Sequence, residues 1–307
     1  MNDSLGALIA LLHTSPVSKL VKTVCDQFGL FLEPTHIRRR ASAEADAALT
    51  KARAGADIEV IECQNKLVIQ KMEDRAAQRV RRLEARRQKN LERIAVQAAR
   101  ELPETVSDQP VDDDWVAQFL NHAQDISNER MQSLWARILA GEVAKPGSFS
   151  LRTLAVVRVM SKEDADTFTR FCSVVWQLPL GLTAIVPLLP NLLTQVGGVN
   201  LTYFDFVRME SLGLLKLNEN QNIVADVGCP TFTCTYFGQD YIVSLPHLTQ
   251  GAQFPLCIGR VLMTDVAREL FPIAGASPNE EHRRNVVTFL RQSGWEVAES
   301  AKDAAAE

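Results

Sequence analysis

The pattern of apolar and polar residues predicts a very long helix in the first third of the chain. Between His36 and Leu102 there is no proline and one glycine, Gly55, and strong helix formers dominate. If unbroken, such a helix extends on the order of 100 Å. A helix of this length needs a partner along its surface.

Apolar residues recur at steps of three or four along this predicted helix, so they share one face. The residues of this oligomer stripe are Leu49, Ala52, Ala56, Val60 and Leu67, with Cys63 between the last two, and Met72, Ala76, Val80 and Leu83 resume it after a shift. The stripe is rich in alanine and holds no strict heptad. Three arrangements therefore stay open: a coiled coil, close helix packing in a homo-oligomer, and a hairpin folded near Gly55.

A compact helical bundle is predicted after a Pro-containing linker. Its core residues fall at helical spacing and are Trp115, Phe119, Leu134, Trp135 and Ile138. The predicted helix starts are Asp112 to Asp114, Ser127 or Asn128, Ser150, and Ser161 with Asp164 in an arrangement similar to a capping box. One of these helices is predicted to end at Gly141.

The last third of the chain predicts an α+β domain with a small antiparallel sheet. A short helix ends at Gly213, and two strands separated by an Asn-rich turn follow it. This order of helix, strand, turn and strand resembles a winged-helix unit. However, the helix contains Arg208 as its only base, so protein contacts or a structural role are favoured over reading DNA.

The predicted fold class is mainly α, with a very long N-terminal helix and a smaller α+β, winged-helix-like C-terminal domain. The predicted segments are short N-terminal helices at 1–35, the long charged helix at 36–102, the linker at 103–111, the helical bundle at 112–178, the α+β domain at 179–300 and a disordered tail at 301–307.

Composition indicates an ordinary folded protein, with 46% apolar and 23% charged residues. Charge is nevertheless uneven: segment 36–102 contains 16 Lys and Arg against 10 Asp and Glu, a net of +6, so the remainder carries −10 of the total of −4. The excess lies in one cluster, Arg75, Arg79, Arg81, Arg82, Arg86, Arg87, Lys89 and Arg93. Such a cluster can bind nucleic-acid phosphates or anionic lipid, or it can be a solvated face paired with acidic parts of an oligomer. It contains no aromatic residue for base stacking.

Residues 4–30 form amphipathic patterns that either pack on the protein's own body or lie on a membrane surface. No secretion signal is evident. Six cysteines are scattered over more than 200 residues, which favours a reducing cytoplasm.

No local motif for catalysis is present: the sequence lacks GxGxxG, GxxxxGK[ST], GxSxG and HExxH. No cofactor or metal is predicted, because Cys229, Cys234, Cys257 and His247 would have to converge by folding to bind zinc. His122 and Asp125 are one helical turn apart, but a structurally satisfied histidine is favoured over an acid/base pair. The sequence therefore favours a non-enzymatic protein.

The stretch "DDDWVAQFLNHAQDISNERMQSLWARILAGEVAKPGSFSLRTLAVV" resembles the central signature of an uncharacterised bacterial family of unknown function. It is more distantly similar to the Abi-alpha proteins associated with phage resistance. "PVSKLVKTVCDQFGLFLEPTHIRRRASAEADA" resembles the family's N-terminal segment, and "RVLMTDVAREL" its Leu-Thr-x-x-Gly-x-Glu-Leu pattern, with Ala267 in place of the glycine. The resemblance spans about 16 to 295 and implies a cytoplasmic bacterial or prophage-borne protein acting in defence. It implies no catalytic residues.

These observations favour a self-associating, cytoplasmic bacterial protein that senses or binds a partner in anti-phage defence. The expected partners are further copies of the chain and a phage or host protein. Two alternatives stay open: a nucleic-acid-binding protein that uses residues 75–93, and a membrane-surface protein that uses residues 4–30.

Overall fold

The computed structural model describes residues 15–28, 58–178, 183–184, 199–218, 223–226, 229–245 and 255–300. The chain divides into two compact units, residues 1–146 and residues 147–307. We call them unit 1 and unit 2. The division falls inside segment 112–178, which the sequence analysis assigned to one bundle.

Unit 1 is helical throughout its described part. Its helices are α1 (Ser15–Phe28), α2 (Ile58–Glu101), α3 (Asp113–Ala123) and α4 (Glu129–Ala144). The C-terminal half of α2 packs along α4 and also contacts α3, while α1 packs on α2, α3 and α4. The end of the long helix is therefore part of the bundle core and is not separated from it by the linker.

The predicted starts of the bundle helices are confirmed. The Asp112 carboxylate accepts the Trp115 N–H at the start of α3, and the Asn128 side chain accepts the N–H groups of Arg130 and Met131 at the start of α4. The predicted end at Gly141 is wrong, because α4 continues to Ala144. A lone glycine inside a well-packed helix costs only about 1 kcal/mol, which tertiary packing offsets.

The very long helix is described from Ile58 to Glu101, 44 residues that span about 66 Å. Segment 36–57 lies outside the described residues, and with it lie the oligomer-stripe residues Leu49, Ala52 and Ala56 and the alternative of a hairpin near Gly55. Val60 and Leu67 belong to α2, but their side chains also lie outside the description.

Unit 2 combines short helices with antiparallel strands. Its helices are α5 (Leu151–Val159), α6 (Lys162–Cys172), α7 (Tyr203–Ser211), α8 (Asp265–Leu270), a 3₁₀ turn (Phe271–Ile273) and α9 (Glu280–Gln292). Its strands are β1 (Trp176–Gln177), β2 (Thr183–Ala184), β3 (Leu215–Leu217), β4 (Ile223–Asp226), β5 (Thr231–Tyr236), β6 (Gln239–Ser244), β7 (Pro255–Gly259), β8 (Val261–Met263) and β9 (Glu296–Glu299).

Seven strands form one sheet in the order β3-β8-β2-β1-β5-β6-β9, and β4 pairs with β7. All of these pairings are antiparallel. Phe237 and Gly238 connect β5 to β6 with φ of 47° and 74°, the positive values that a two-residue type I′ turn requires. Helix α9 covers the sheet with Val286 and Leu290, which pack in a buried cluster with Trp176 and Tyr236.

The winged-helix resemblance is not confirmed. Helix α7 and the two strands after it lie close to their predicted positions, but β3 pairs with β8 and β4 pairs with β7. Each strand is held by a non-local partner, so in the described part of unit 2 the two do not form the hairpin of a wing. The predicted helix starts in this unit are confirmed: Ser150 caps α5, and Ser161 with Asp164 forms a capping box on α6.

Candidate interaction surfaces of the long helix

One face of α2 is buried in unit 1. Its side chains are Leu91, Ile94, Ala95, Ala98 and Ala99. The predicted core residues lie in the same unit and are buried: Trp115, Phe119, Leu134, Trp135 and Ile138. The Phe119 ring lies 5.2 Å from Trp115 and 5.3 Å from Trp135, centroid to centroid. The C-terminal half of α2 packs against the helices that carry these rings.

A buried polar network fixes the register of α2 against its neighbours. Asn90 Nδ2 donates to the Gln124 carbonyl at 2.9 Å and to Ser127 Oγ at 3.2 Å. Gln132 Nε2 donates to Asn90 Oδ1 at 3.2 Å and to the Ile126 carbonyl at 2.9 Å. Sliding α2 along α4 would leave these buried groups unpaired, and each such loss costs about 1–3 kcal/mol.

Arg87 forms the outer edge of this docked region. Its Nε donates to Asp125 Oδ1 at 2.9 Å, its Nη2 to Asp125 Oδ2 at 3.1 Å and its Nη1 to Glu84 Oε1 at 3.0 Å. The hydrogen bonds that Arg87 donates to Asp125 lower the pKa of the Asp125 carboxyl and raise the pKa of the Arg87 guanidinium. The Asp125 carboxylate is thus a partner of arginine, while His122 stacks edge-on against Trp135.

A second face of α2 is a row of cations. Lys71, Arg75, Arg79, Arg82, Arg86, Lys89, Arg93 and Arg100 follow one another at steps of three, four or seven residues, so they lie on one side of the helix. We call this row the basic stripe. All eight residues are exposed. The stripe lies across the helix axis from the buried Leu91, Ala95 and Ala98.

The basic stripe differs from the cluster predicted from sequence. Six of the eight predicted residues belong to it, namely Arg75, Arg79, Arg82, Arg86, Lys89 and Arg93. Arg81 projects from another side of α2, and Arg87 binds Asp125. Lys71 and Arg100 were missed. Their spacing of four and seven residues from the stripe was the signal that could have found them.

A third face of α2 carries exposed apolar side chains, which we call the apolar seam: Ile69, Met72, Ala76, Val80 and Leu83. Ile69, Met72 and Val80 are 55%, 57% and 55% exposed. Ala76 and Leu83 are partly buried. The seam runs, at the same helical spacing, into the buried face of α2 that begins at Asn90 and Leu91. Among the described residues, this line is buried only toward the C-terminal end of α2.

Of the N-terminal segment 4–30, the structure describes residues 15–28, which form α1. The apolar side chains of Val17 and Leu20 are buried in unit 1. Lys19 Nζ donates to the carbonyls of Ser107 at 2.5 Å and Val143 at 3.0 Å, and desolvation lowers its pKa. A cavity of about 590 Å³ opens beside Lys19, next to Lys22 and Asp108. The described part of α1 is thus anchored to the protein's own body.

In unit 2, the helix of the predicted winged-helix-like unit, for which a role in reading DNA was not favoured, uses its single base internally. Arg208 of α7 forms an ion pair with Asp164, whose side chain is 7% exposed and also caps α6. Binding DNA through Arg208 would require breaking this pair. Within the described ranges, no group of three or more His, Cys, Asp or Glu side chains is arranged to hold a metal ion.

The geometry therefore defines a helical protein whose long helix offers a basic stripe and an apolar seam, joined in sequence to an antiparallel α+β unit. Residues 74–287 match the family described as "Protein of unknown function (DUF2806)". This is more than half of the chain, so the chain belongs to that family. No curated protein and no solved structure is similar to it. Of the helices in the described residues, none is both long and apolar enough to cross a bilayer.

Proposed function

We propose that this protein is a non-enzymatic component that self-associates through the apolar seam of α2. The observation that supports this is the exposure of Ile69, Met72 and Val80, each more than half exposed in the single chain. Covering half of such a side chain contributes roughly 1 kcal/mol. Two copies that cover the seam symmetrically would gain about 6 kcal/mol from these six side chains, before the cost of association is subtracted.

Charge along the seam favours a parallel arrangement of two copies. Ile69, Ala76 and Leu83 are seven residues apart, and in that register Arg79 and Glu84 flank the seam on opposite sides. A parallel pair brings Arg79 of one copy toward Glu84 of the other, whereas an antiparallel pair brings basic flanks together. Arg87 Nη1 donates to Glu84 Oε1, which holds this carboxylate beside the seam.

The proposed setting is anti-phage defence in the bacterial cytoplasm, with the assembly sensing or binding a phage or host protein. The distant likeness to Abi-alpha proteins supports this setting. Expression in a phage-sensitive host is expected to lower the number of plaques, and a seam variant is expected to lose that protection. Equal plaque numbers with and without the wild-type protein, across a panel of phages, would refute the proposal that the protein acts in defence.

Size-exclusion chromatography with light scattering tests self-association. The wild-type protein is expected to run as a discrete multiple of 34.1 kDa, and Val80→Glu as a monomer. The matched control is Val159→Glu, because Val159 is 66% exposed in unit 2 and receives the same change without touching the seam. Circular dichroism checks that each variant keeps its helices. A monomeric wild type at tens of micromolar would overturn the proposal, as would a Val80→Glu variant of unchanged mass.

A further inference from the structure

We infer that the basic stripe of α2 is a binding surface for the phosphate backbone of double-stranded nucleic acid. The inference depends on the stripe alone and not on self-association. From Lys71 to Arg100 the stripe covers about 43 Å, with one cation about every 6 Å. A duplex presents roughly one negative charge per 1.7 Å of its axis, so a straight row of cations meets several phosphates wherever it crosses the backbone.

The stripe is free of acidic residues. The four carboxylates between its ends, Glu73, Asp74, Glu84 and Glu92, lie on other sides of the helix. Arg86 forms an ion pair with Asp125 at 3.5 Å, and both side chains are about half exposed. Exposed pairs of this kind contribute 1 kcal/mol or less, so a phosphate can replace the carboxylate at little cost. The surface is therefore built for an anionic partner.

Three features favour a duplex over other anionic partners. Six of the eight cations are arginines, whose planar guanidinium groups bind phosphate through two hydrogen bonds. Helix α2 contains no aromatic residue, so it lacks the stacking surface that single strands use. Over residues 91–99 its apolar face is buried in unit 1 and is not available to insert into a bilayer.

Binding is expected to depend steeply on salt and to be insensitive to sequence. If four to six cations contact phosphates, log K falls with log salt at a slope of about −4 to −5. Affinity then drops roughly 10²- to 10³-fold between 50 and 200 mM NaCl. The proposed contacts are to the phosphate backbone, which carries no sequence information directly, so duplexes of different sequence are expected to compete equally.

The test is fluorescence anisotropy of a labelled 30-base-pair duplex with the full chain, between 50 and 200 mM NaCl. Arg82→Gln removes one stripe cation and is expected to reduce the magnitude of the salt slope by about 0.9. Arg81→Gln is the matched control: it is the next residue on the same helix, is equally exposed and loses the same charge, but lies off the stripe. The triple variant Arg75→Gln, Arg82→Gln and Arg93→Gln is expected to weaken binding at least tenfold at 50 mM NaCl.

Light scattering of the triple variant separates this inference from self-association, because its mass is expected to equal that of the wild type. An unchanged affinity in the triple variant would overturn the assignment, as would equal losses in Arg81→Gln and Arg82→Gln. Vesicles of phosphatidylserine and phosphatidylcholine, and a 30-nucleotide single strand, serve as rival ligands. Binding to either of them with no measurable binding to the duplex would also refute it.

Discussion

Unit 2 should lose stability in mild acid because of a single buried histidine. The side chain of His282, in α9, is 2% exposed, and its ring donates a hydrogen bond to the Val174 carbonyl. Its Nε2 has no hydrogen-bond partner in the described part of the chain. Burial lowers the pKa of His282 from 6.5 to about 4, and the bond to Val174 offsets only part of this effect. The folded state therefore holds this imidazole neutral.

The size and the sign of the effect follow from proton linkage. Above pH 6.5 the ring is neutral in both the folded and the unfolded chain, so it carries no penalty. As pH falls from 6.5 toward 4, the unfolded chain binds a proton that the folded chain does not, and the free energy of unfolding decreases. A difference of 2.5 pKa units corresponds to about 3 kcal/mol, at about 1.4 kcal/mol per pH unit at the steepest point.

The assay is urea unfolding of the full chain at pH steps from 7.5 to 4.5. Tryptophan fluorescence reports both units, because Trp115 and Trp135 lie in unit 1 and Trp176 and Trp295 lie in the cluster that α9 covers, so the comparison with a His282 variant isolates the contribution of unit 2. His282→Phe replaces the imidazole with an apolar ring that binds no proton. The free energy of unfolding of this variant is therefore expected to fall less steeply between pH 6.5 and 4.5. Comparing the wild type with the variant cancels the pH dependence that comes from the carboxylates common to both. Parallel pH profiles for wild type and variant would refute the reasoning.

Three further perturbations probe the contacts of the helices. Asn90→Ala removes the donor to the Gln124 carbonyl and the acceptor of the Gln132 Nε2 hydrogen bond, and should lower the free energy of unfolding of unit 1 by about 1–3 kcal/mol, measured by urea denaturation; no loss would mean that the network does not fix the register. Arg208→Gln should cost unit 2 at least as much as Asp164→Asn, because it leaves the Asp164 carboxylate, which is 7% exposed, without its ion-pair partner, whereas Asp164→Asn removes that charge and keeps an oxygen that can accept the Ser161 N–H; a clearly smaller loss in Arg208→Gln would contradict this. Arg79→Glu and Glu84→Arg should each weaken self-association in light scattering, and together restore it if the copies run parallel.

The sequence predicts features that depend on near neighbours. The helix start at Asp112 to Asp114 was predicted from carboxylates that suit the positive end of the helix dipole, and the caps at Ser127 or Asn128 and at Ser150 because a short polar side chain can accept N–H groups two or three residues ahead. The pairing of strands could not be found in this way. Leu215 of β3 pairs with Met263 of β8, and nothing within a few residues of either position encodes that choice.

The candidate surfaces of α2 show the same limit. Helical spacing indicates which residues share a face, but it does not indicate what covers that face. Arg87 carries the same charge as Arg86 beside it, yet it donates two hydrogen bonds to Asp125, 38 residues away in sequence, whereas Arg86 approaches that carboxylate only to 3.5 Å and stays exposed. The distinction between a docked arginine and one on the basic stripe therefore appears only when α3 is placed against α2.

The seam and the stripe lie on different sides of one helix, and this makes the two proposals separable. Their centres are roughly 100° apart around the axis, so a second copy can cover Ile69 and Val80 without covering Arg75 or Arg93. In a parallel pair, each copy would present its own stripe. Val80→Glu should then weaken duplex binding by removing avidity, while the salt slope per chain stays the same. A seam variant that lost the slope as well would show that the two faces do not act independently.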